Sequence, residues 1–354
     1  MNSLSKYFPE AKKISIDKFI SNALYDEEHG YYSKKIPFGK NGDFITSPGI
    51  TSLFSELIGL WVISLWEHMG KPKIFNVVEL GPGNGQMCKT LLGVFKKFPI
   101  FFNAVNIFLY EKSKTLQNLQ KNNLNDKKVN WVKNFNKIKK GPIIFLGNEF
   151  FDAIPIKQFK NEKKCLFEKY YTLNKKNQIR VIFKKASKKD TVNIKSYKSL
   201  KNLKFIEFPK YGFNELKKIK KKILQLNGCI LMIDYGYLNS SNQNTLQSVM
   251  SHKKNNMLNN LGKADITSHV NFKLLNEFFL KNNLKVEKII SQQRFLKNMG
   301  IIKRAEIISK KMKFIDQSNI YLRLKRLLSP ILMGELFKVI LAYKFKSNKF
   351  FGFK

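Results

Sequence analysis

The sequence predicts an α/β fold, a parallel sheet covered by helices on both faces. Between residues 74 and 150, continuous apolar runs alternate with amphipathic helical stretches, as expected of strands buried on both sides. The first run, Ile74-Phe75-Asn76-Val77-Val78-Glu79-Leu80, enters a turn of alternating glycines, Gly81-Pro82-Gly83-Asn84-Gly85, followed by the helical Gln86-Met87-Cys88-Lys89-Thr90-Leu91-Leu92. Only glycine turns the backbone through φ > 0 and also leaves room for a ligand where a Cβ would stand. A further apolar run, Gly228-Cys229-Ile230-Leu231-Met232-Ile233, ends at Asp234-Tyr235-Gly236 and extends the sheet.

Each element follows in turn. Residues 1–70 read as an N-terminal helical region around a glycine-rich loop, His29-Gly30-Tyr31-Tyr32 through Gly39-Lys40-Asn41-Gly42-Asp43-Phe44. The apolar stretch 53–66 is interrupted by Ser55, Glu56 and Ser64, which makes it a core helix and too short for a membrane span. Residues 71–350 form the sheet domain, with strands expected at 107–110, 129–132 and 142–146. Insertions are expected at about 160–210 and 237–270. The first holds a hairpin, 164–173 with 178–184, and the second reads as polar loop over 239–263. A helix at 212–226, a strand near 286–291 and a last strand at 339–345 complete the pattern.

The 354-residue chain carries 65 basic and 25 acidic residues, a net charge of +40. Such a balance suggests nucleic acid or an anionic membrane surface as partner. Nearly all the cations are lysine, however, and the only arginines are Arg180, Arg294, Arg304, Arg323 and Arg326. Arginine is the residue of planar phosphate and base recognition. Its scarcity, with the abundance of Asn, Ile and Phe, favours a solvated lysine surface of compositional origin over a dedicated nucleic-acid face. Cys88, Cys165 and Cys229 are few and far apart, so neither a disulfide framework nor a zinc site is expected.

Two cofactor classes use a glycine turn after the first strand. Dinucleotide enzymes use G-x-G-x-x-G/A with an acid about 20 residues on. Here Gly85 comes one position early, Gln86 stands at the dinucleotide position, and Pro82 removes an amide from the turn. The spacing G-x-G-x-G behind an acid, Glu79, matches instead the S-adenosylmethionine (SAM) turn. Glu111, at the end of the second strand, suits the ribose hydroxyls of either cofactor because a carboxylate accepts from both. Glu79, Glu111, Glu149 and Asp234 all fall at predicted carboxyl ends of strands, where open α/β sheets bind ligands. Together they favour a cationic ligand, as a sulfonium, guanidinium or amine would be. Some could instead be caps or turn residues.

These residues resemble the MidA-type SAM-dependent methyltransferases, a family that includes a mitochondrial complex I assembly factor. The resemblance spans almost the whole chain. Its most specific segments are Gly42-Asp43-Phe44-Ile45-Thr46-Ser47-Pro48 and Asn148-Glu149-Phe150-Phe151-Asp152-Ala153-Ile154-Pro155. It also runs through Asp234-Tyr235-Gly236, Ala264-Asp265-Ile266-Thr267-Ser268-His269-Val270 and Met333-Gly334-Glu335-Leu336-Phe337-Lys338. The family usually has a glutamate where this chain has Gly49, which is assigned no role. The resemblance implies a Rossmann-like class I methyltransferase sheet with extra helical elements. It also implies methyl transfer to protein arginine, with a core subunit of respiratory complex I as acceptor in the mitochondrial relatives. Only about a dozen residues precede the family pattern, and the opening residues lack the apolar core or arginine of a leader. A bacterial cytoplasm is therefore expected.

Glu149 and Asp152 are the candidates to hold a guanidinium in bidentate fashion, with Asn148 on cofactor or acceptor. Asp152 could alternatively be a helix N-cap ahead of Ala153. The Gly42-Asp43-Phe44 loop is expected to close over the cofactor or acceptor, with Gly42 and Asp43 among the cofactor-binding residues, on the strength of the resemblance. His29 and His269 could serve as bases but are more often structural. The alternatives are an RNA or other nucleic-acid methyltransferase, a non-catalytic assembly factor on this scaffold, and an NAD-dependent oxidoreductase. No metal site, specific nucleic acid or transmembrane segment is expected; a homodimer remains an option.

Overall fold

The computed structural model describes residues 4–353 except 11, 40, 41, 240, 241, 311 and 347–349. Lys40 and Asn41 of the glycine-rich loop therefore lie outside the described residues, as do Ser240 and Ser241. Strand β1 (Phe75–Leu80) is buried along its whole length. It pairs in parallel with β2 (Val105–Tyr110), and β2 with β3 (Val129–Val132). On its other side β1 pairs in parallel with β4 (Ile143–Asn148), and β4 with β5 (Cys229–Tyr237). The last strand, β6 (Phe337–Tyr343), runs antiparallel to β5. The order β6-β5-β4-β1-β2-β3 reverses direction between β1 and β4. A crevice opens at such a reversal, beyond the carboxyl ends of the strands.

The period-2 alternation of β1 divides the core. Phe75 and Val77 face helices α1 (Ser52–His68) and α2 (Gln86–Phe95), where Trp61, Leu91 and Phe95 are buried. Val78 and Leu80 face the opposite layer. That layer holds α3 (Lys210–Leu226) and α4 (Phe272–Lys281), with Leu216, Ile219, Phe278 and Phe279 buried. Each such side chain contributes about 1.5–3 kcal/mol by leaving water. The central sheet thus has the predicted α/β class and both faces covered.

Two further sheets depart from the sequence reading. The expected hairpin is there, Cys165–Leu173 with Ile179–Lys185, but within a five-stranded sheet that recruits Lys13–Ser15, Lys157–Glu162 and Phe205–Phe208. Residues 239–263, expected as polar loop, contribute Gln247–Met250 and Lys253–Asn255 to a three-stranded sheet with Asp265–Thr267. Strands of three or four mostly polar residues give no apolar period to detect. The last strand begins at Phe337, two residues before its expected start, because Phe337 pairs with Tyr235. Among the described residues no helix is long and apolar enough to cross a membrane.

Candidate active site

A cavity of about 410 Å³ opens over the carboxyl ends of β1, β2 and β4. Three covers close it: Tyr25 and Tyr32 of the N-terminal helices, the loop carrying Phe38, Phe44 and Pro48, and the three-stranded sheet with Gln247, Val249 and Asp265. The glycine turn forms its floor. Gly81, Gly83 and Gly85 all have positive φ, at 62°, 58° and 81°, so the alternation of glycines reflects three left-handed positions. A Cβ on Gly81 would stand 3.1 Å from the Phe150 ring, and one on Gly83 3.0 Å from the Phe38 ring. Gly81 and Gly83 line the cavity. Gly85 does not: it precedes Gln86–Phe95 and packs against Leu124, so its glycine serves the turn alone.

Glu79 and Glu111 both face the cavity. Glu79 is 3% exposed and its Oε2 has no hydrogen-bond partner among the described residues. Burial, reinforced by the charge of Glu111, pushes its carboxyl up to about 8. Glu111 accepts from the Ser113 amide at 2.9 Å and from Gln120 Nε2 at 3.3 Å. Gln120 also donates to the Gly83 carbonyl at 2.8 Å and accepts from Trp131 Nε1 at 2.9 Å. It therefore fixes the glycine turn relative to Glu111, a role sequence reasoning missed. The signal was present: Leu116, Gln120 and Leu124 are spaced i, i+4, i+8, and a glutamine on an otherwise apolar stripe asks for buried partners.

The other end of the cavity is built by the turn after β4. Glu149 is held at φ 49°, costing roughly 1–2 kcal/mol for a non-glycine residue. Its amide donates to Ile233 O at 2.9 Å, and its Oε1 accepts from the Ser47 amide at 2.9 Å and Asn148 Nδ2 at 3.1 Å. Burial raises the Glu149 carboxyl to about 7, with Asp152 adding to the rise. Asp152 accepts at Oδ2 from Tyr235 Oη at 2.5 Å. Its Oδ1 and the Oδ1 of Asn148 are buried and have no donor among the described residues. A turn, not a helix, follows Asp152, which removes the N-cap alternative.

Three expectations need correction. Asp234 does not face the ligand crevice: β5 continues past it to Tyr237, and its carboxylate accepts from the amides of Phe151, Asp152 and Tyr235. It shapes the turn that presents Asn148–Asp152. Of the Gly42-Asp43-Phe44 loop, Phe44 lines the cavity, whereas Gly42 and Asp43 lie off its lining. A Cβ on Gly42 would stand 2.1 Å from Pro37 O, so glycine there lets the loop fold on itself. Asp43 is buried and accepts from Tyr31 Oη at 2.5 Å, Lys35 Nζ at 2.8 Å and the Ser251 amide at 2.6 Å. It ties the Phe38–Phe44 cover to the sheet cover, and Asp43→Ala should lower stability by about 2–4 kcal/mol in urea denaturation. Neither His29 nor His269 lines the cavity. Asp265, which carried no assigned role, does; it is buried and accepts from Tyr32 Oη at 3.1 Å.

A family model of S-adenosyl-L-methionine-dependent methyltransferases matches residues 57–290. The chain belongs to this family. The mitochondrial protein arginine methyltransferase NDUFAF7 of Xenopus laevis is 27% identical over 350 residues, covering 92% of this chain and 80% of that protein. The Homo sapiens protein of the same name is 27% identical over 332 residues, covering 86% and 73%. A COG1565 superfamily protein from Burkholderia thailandensis, crystallised with S-adenosyl-homocysteine, has the same fold. Its TM-score is 0.81 at 20% identity, with 97% of this chain and 90% of that one covered. The expected bacterial cytoplasm is corrected by the NDUFAF7 relatives, whose names place them in mitochondria.

The cavity of this methyltransferase suits its cofactor. Among the described residues six carboxylates line it, Glu79, Glu111, Glu149, Asp152, Glu215 and Asp265, against one lysine, Lys112. In a chain of net charge +40 this local reversal attracts cations. Lys112 is engaged by Glu215 at 3.4 Å. The unpartnered Glu79 Oε2 and the glycine floor provide an acceptor and a close backbone approach for a cationic, nucleoside-bearing molecule. Gly83→Val tests the floor: the branched side chain strains φ and presses on Phe38. S-adenosylhomocysteine affinity by calorimetry should fall at least about a hundredfold, roughly 3 kcal/mol, with the circular dichroism spectrum unchanged.

Proposed function

We propose that this enzyme methylates arginine on a protein, with a core subunit of respiratory complex I as the acceptor. Three carboxylate and amide oxygens on one short turn carry this reading: among the described residues, the buried Asn148 Oδ1 and Asp152 Oδ1 have no donor, and the bonds of Glu149 are made by its Oε1, none by Oε2. What completes such a site is a group with donors only, and guanidinium is the planar, always-charged one. The relatives named protein arginine methyltransferases support the same acceptor. An acid-lined mouth opposes the phosphates of RNA, which argues against nucleic acid as substrate.

Glu79 would hold the cofactor's ammonium group and Glu111 its ribose hydroxyls, over Gly81 and Gly83. When bound, the cofactor supplies a methyl carbon on a sulfonium, whose neutral thioether leaves as the nitrogen–carbon bond forms. Glu149 and Asp152 would orient the guanidinium and draw its charge away from the attacking nitrogen. The proton released there passes to Glu149 Oε2, whose carboxyl near 7 is suited to receive it. Tyr235 fixes Asp152 through their 2.5 Å hydrogen bond. The test is transfer of labelled methyl from SAM to the purified hydrophilic arm of complex I, followed by amino-acid analysis. Methylarginine is expected; label on lysine, or on RNA offered in its place, would refute the assignment.

A further inference from the structure

Of the chain's five arginines, four fall between residues 294 and 326, although lysine supplies nearly every other cation. Arg304 is engaged by Glu56 at 3.0 Å. Arg294 and Arg323 are exposed and form no ion pair among the described residues; Arg326 is exposed as well, but its charge also acts on the Glu149 carboxyl. The lysine excess can be compositional; a local concentration of arginine in an arginine-poor chain is not explained that way. Guanidinium is the preferred partner of phosphate.

The same segment exposes apolar side chains. The helix Phe314–Leu328 buries Leu324, Leu327 and Leu328. On its outward side Ile315 and Leu322 are 74% and 64% exposed; seven residues apart, they lie within about 20° on the helix. Phe314 at its start is 81% exposed and Ile331, just beyond its end, 89%. Exposed Lys313, Arg323, Lys325 and Arg326 surround them, and Asp316 is the one acid between 313 and 328. Grouped apolar exposure of this kind marks a docking surface. A second copy would set the same basic residues, and +40, against themselves. An anionic bilayer instead complements both the guanidinium groups and the apolar tips.

We infer that the outward face of Phe314–Leu328, with Ile331 beside it, docks this enzyme on an anionic phospholipid surface. Ile315, Leu322 and Phe314 enter the headgroup–acyl boundary, and Arg323 with its basic neighbours meets the phosphates. Lipid is the occupant rather than RNA because the exposed tips are chiefly aliphatic, Ile315, Leu322 and Ile331, with Phe314 at the helix start, whereas single-stranded RNA is held on platforms of several aromatic rings.

Co-sedimentation with phosphatidylcholine vesicles, with and without phosphatidylglycerol, tests this. Wild type is expected on the anionic vesicles only. Ile315→Ser with Leu322→Ser leaves every charge in place and should lower vesicle partitioning at least about tenfold. Val192→Ser, at another exposed apolar residue (70%), should change nothing. Unaltered S-adenosylhomocysteine affinity in each variant establishes that the fold is kept. The inference is overturned if wild type stays in solution. It also fails if the double variant sediments like wild type, which would make the binding general lysine electrostatics. A dimer that the double variant dissolves would assign the face to a second copy.

Discussion

Glu149→Gln is expected to lower kcat/KM for methyl transfer by about a hundred- to a thousandfold while leaving S-adenosylhomocysteine affinity unchanged. The substitution keeps the shape of the side chain, and its amide oxygen can still accept from the Ser47 amide and Asn148 Nδ2. It removes the negative charge that would face the acceptor. Removing one partner of a buried charge pair costs about 2–5 kcal/mol, and each 1.4 kcal/mol is about tenfold in rate. The pH profile separates this role from a structural one. Burial lifts the Glu149 carboxyl to about 7, and only the ionised form attracts a cation and receives its proton. In wild type, kcat/KM should fall as pH drops below 7, by about tenfold per unit. Glu149→Gln should lose that acid limb. A variant with normal transfer, or with equally weakened cofactor binding, would defeat the assignment.

Glu79→Gln is expected to stabilise the ligand-free enzyme at pH 8 and to weaken SAM binding. Burial, with Glu111 adding to it, raises the Glu79 carboxyl from 4.5 to about 8. Between those values the folded state keeps a proton that the unfolded chain has released. The stability this contributes is complete below pH 4.5 and is lost as pH rises to about 8, at up to about 1.4 kcal/mol per unit. Glutamine does not titrate. Urea denaturation should therefore find the variant more stable than wild type by about 3 kcal/mol at pH 8, and little different at pH 5. SAM affinity should fall by at least about tenfold, because the cofactor's ammonium would lose its carboxylate. Equal stability changes at both pH values would show that Glu79 is not a buried, frustrated acid awaiting a cation. Such a residue trades stability for function.

The glycine turn was fully legible, because three alternating positive-φ positions impose a local requirement that only glycine meets without strain. The Asn148–Asp152 turn was legible for a similar reason, as a polar segment closing a buried strand. Asp234 was misjudged because a strand's apolar run ended there while its hydrogen bonding did not: Gly236 and Tyr237 still pair with Val270 and Asn271. Asp43 was placed on the cofactor by resemblance, yet its partners Lys35 and Ser251 are 8 and 208 residues away. No local pattern could say which side of the loop it would face. Gln120 shows the reverse case. It announced itself as a polar residue on an apolar stripe, but its partners on β1's turn and on β2's end could not be named.

What the sequence determined by itself was the sheet, its covered faces, the glycine floor and the acids at strand ends. These depend on periodicity and on backbone conformations that each residue type permits or forbids. Only the tertiary structure decided which acids reach the cavity. It turned Asp234 and Asp43 inward as braces, brought Asp265 in on a sheet made of segments too short and polar to recognise, and left Asn148 and Asp152 oxygens without donors. Burial and long-range pairing set those outcomes, because a carboxylate's partner and its proton depend on what packs against it from elsewhere in the chain.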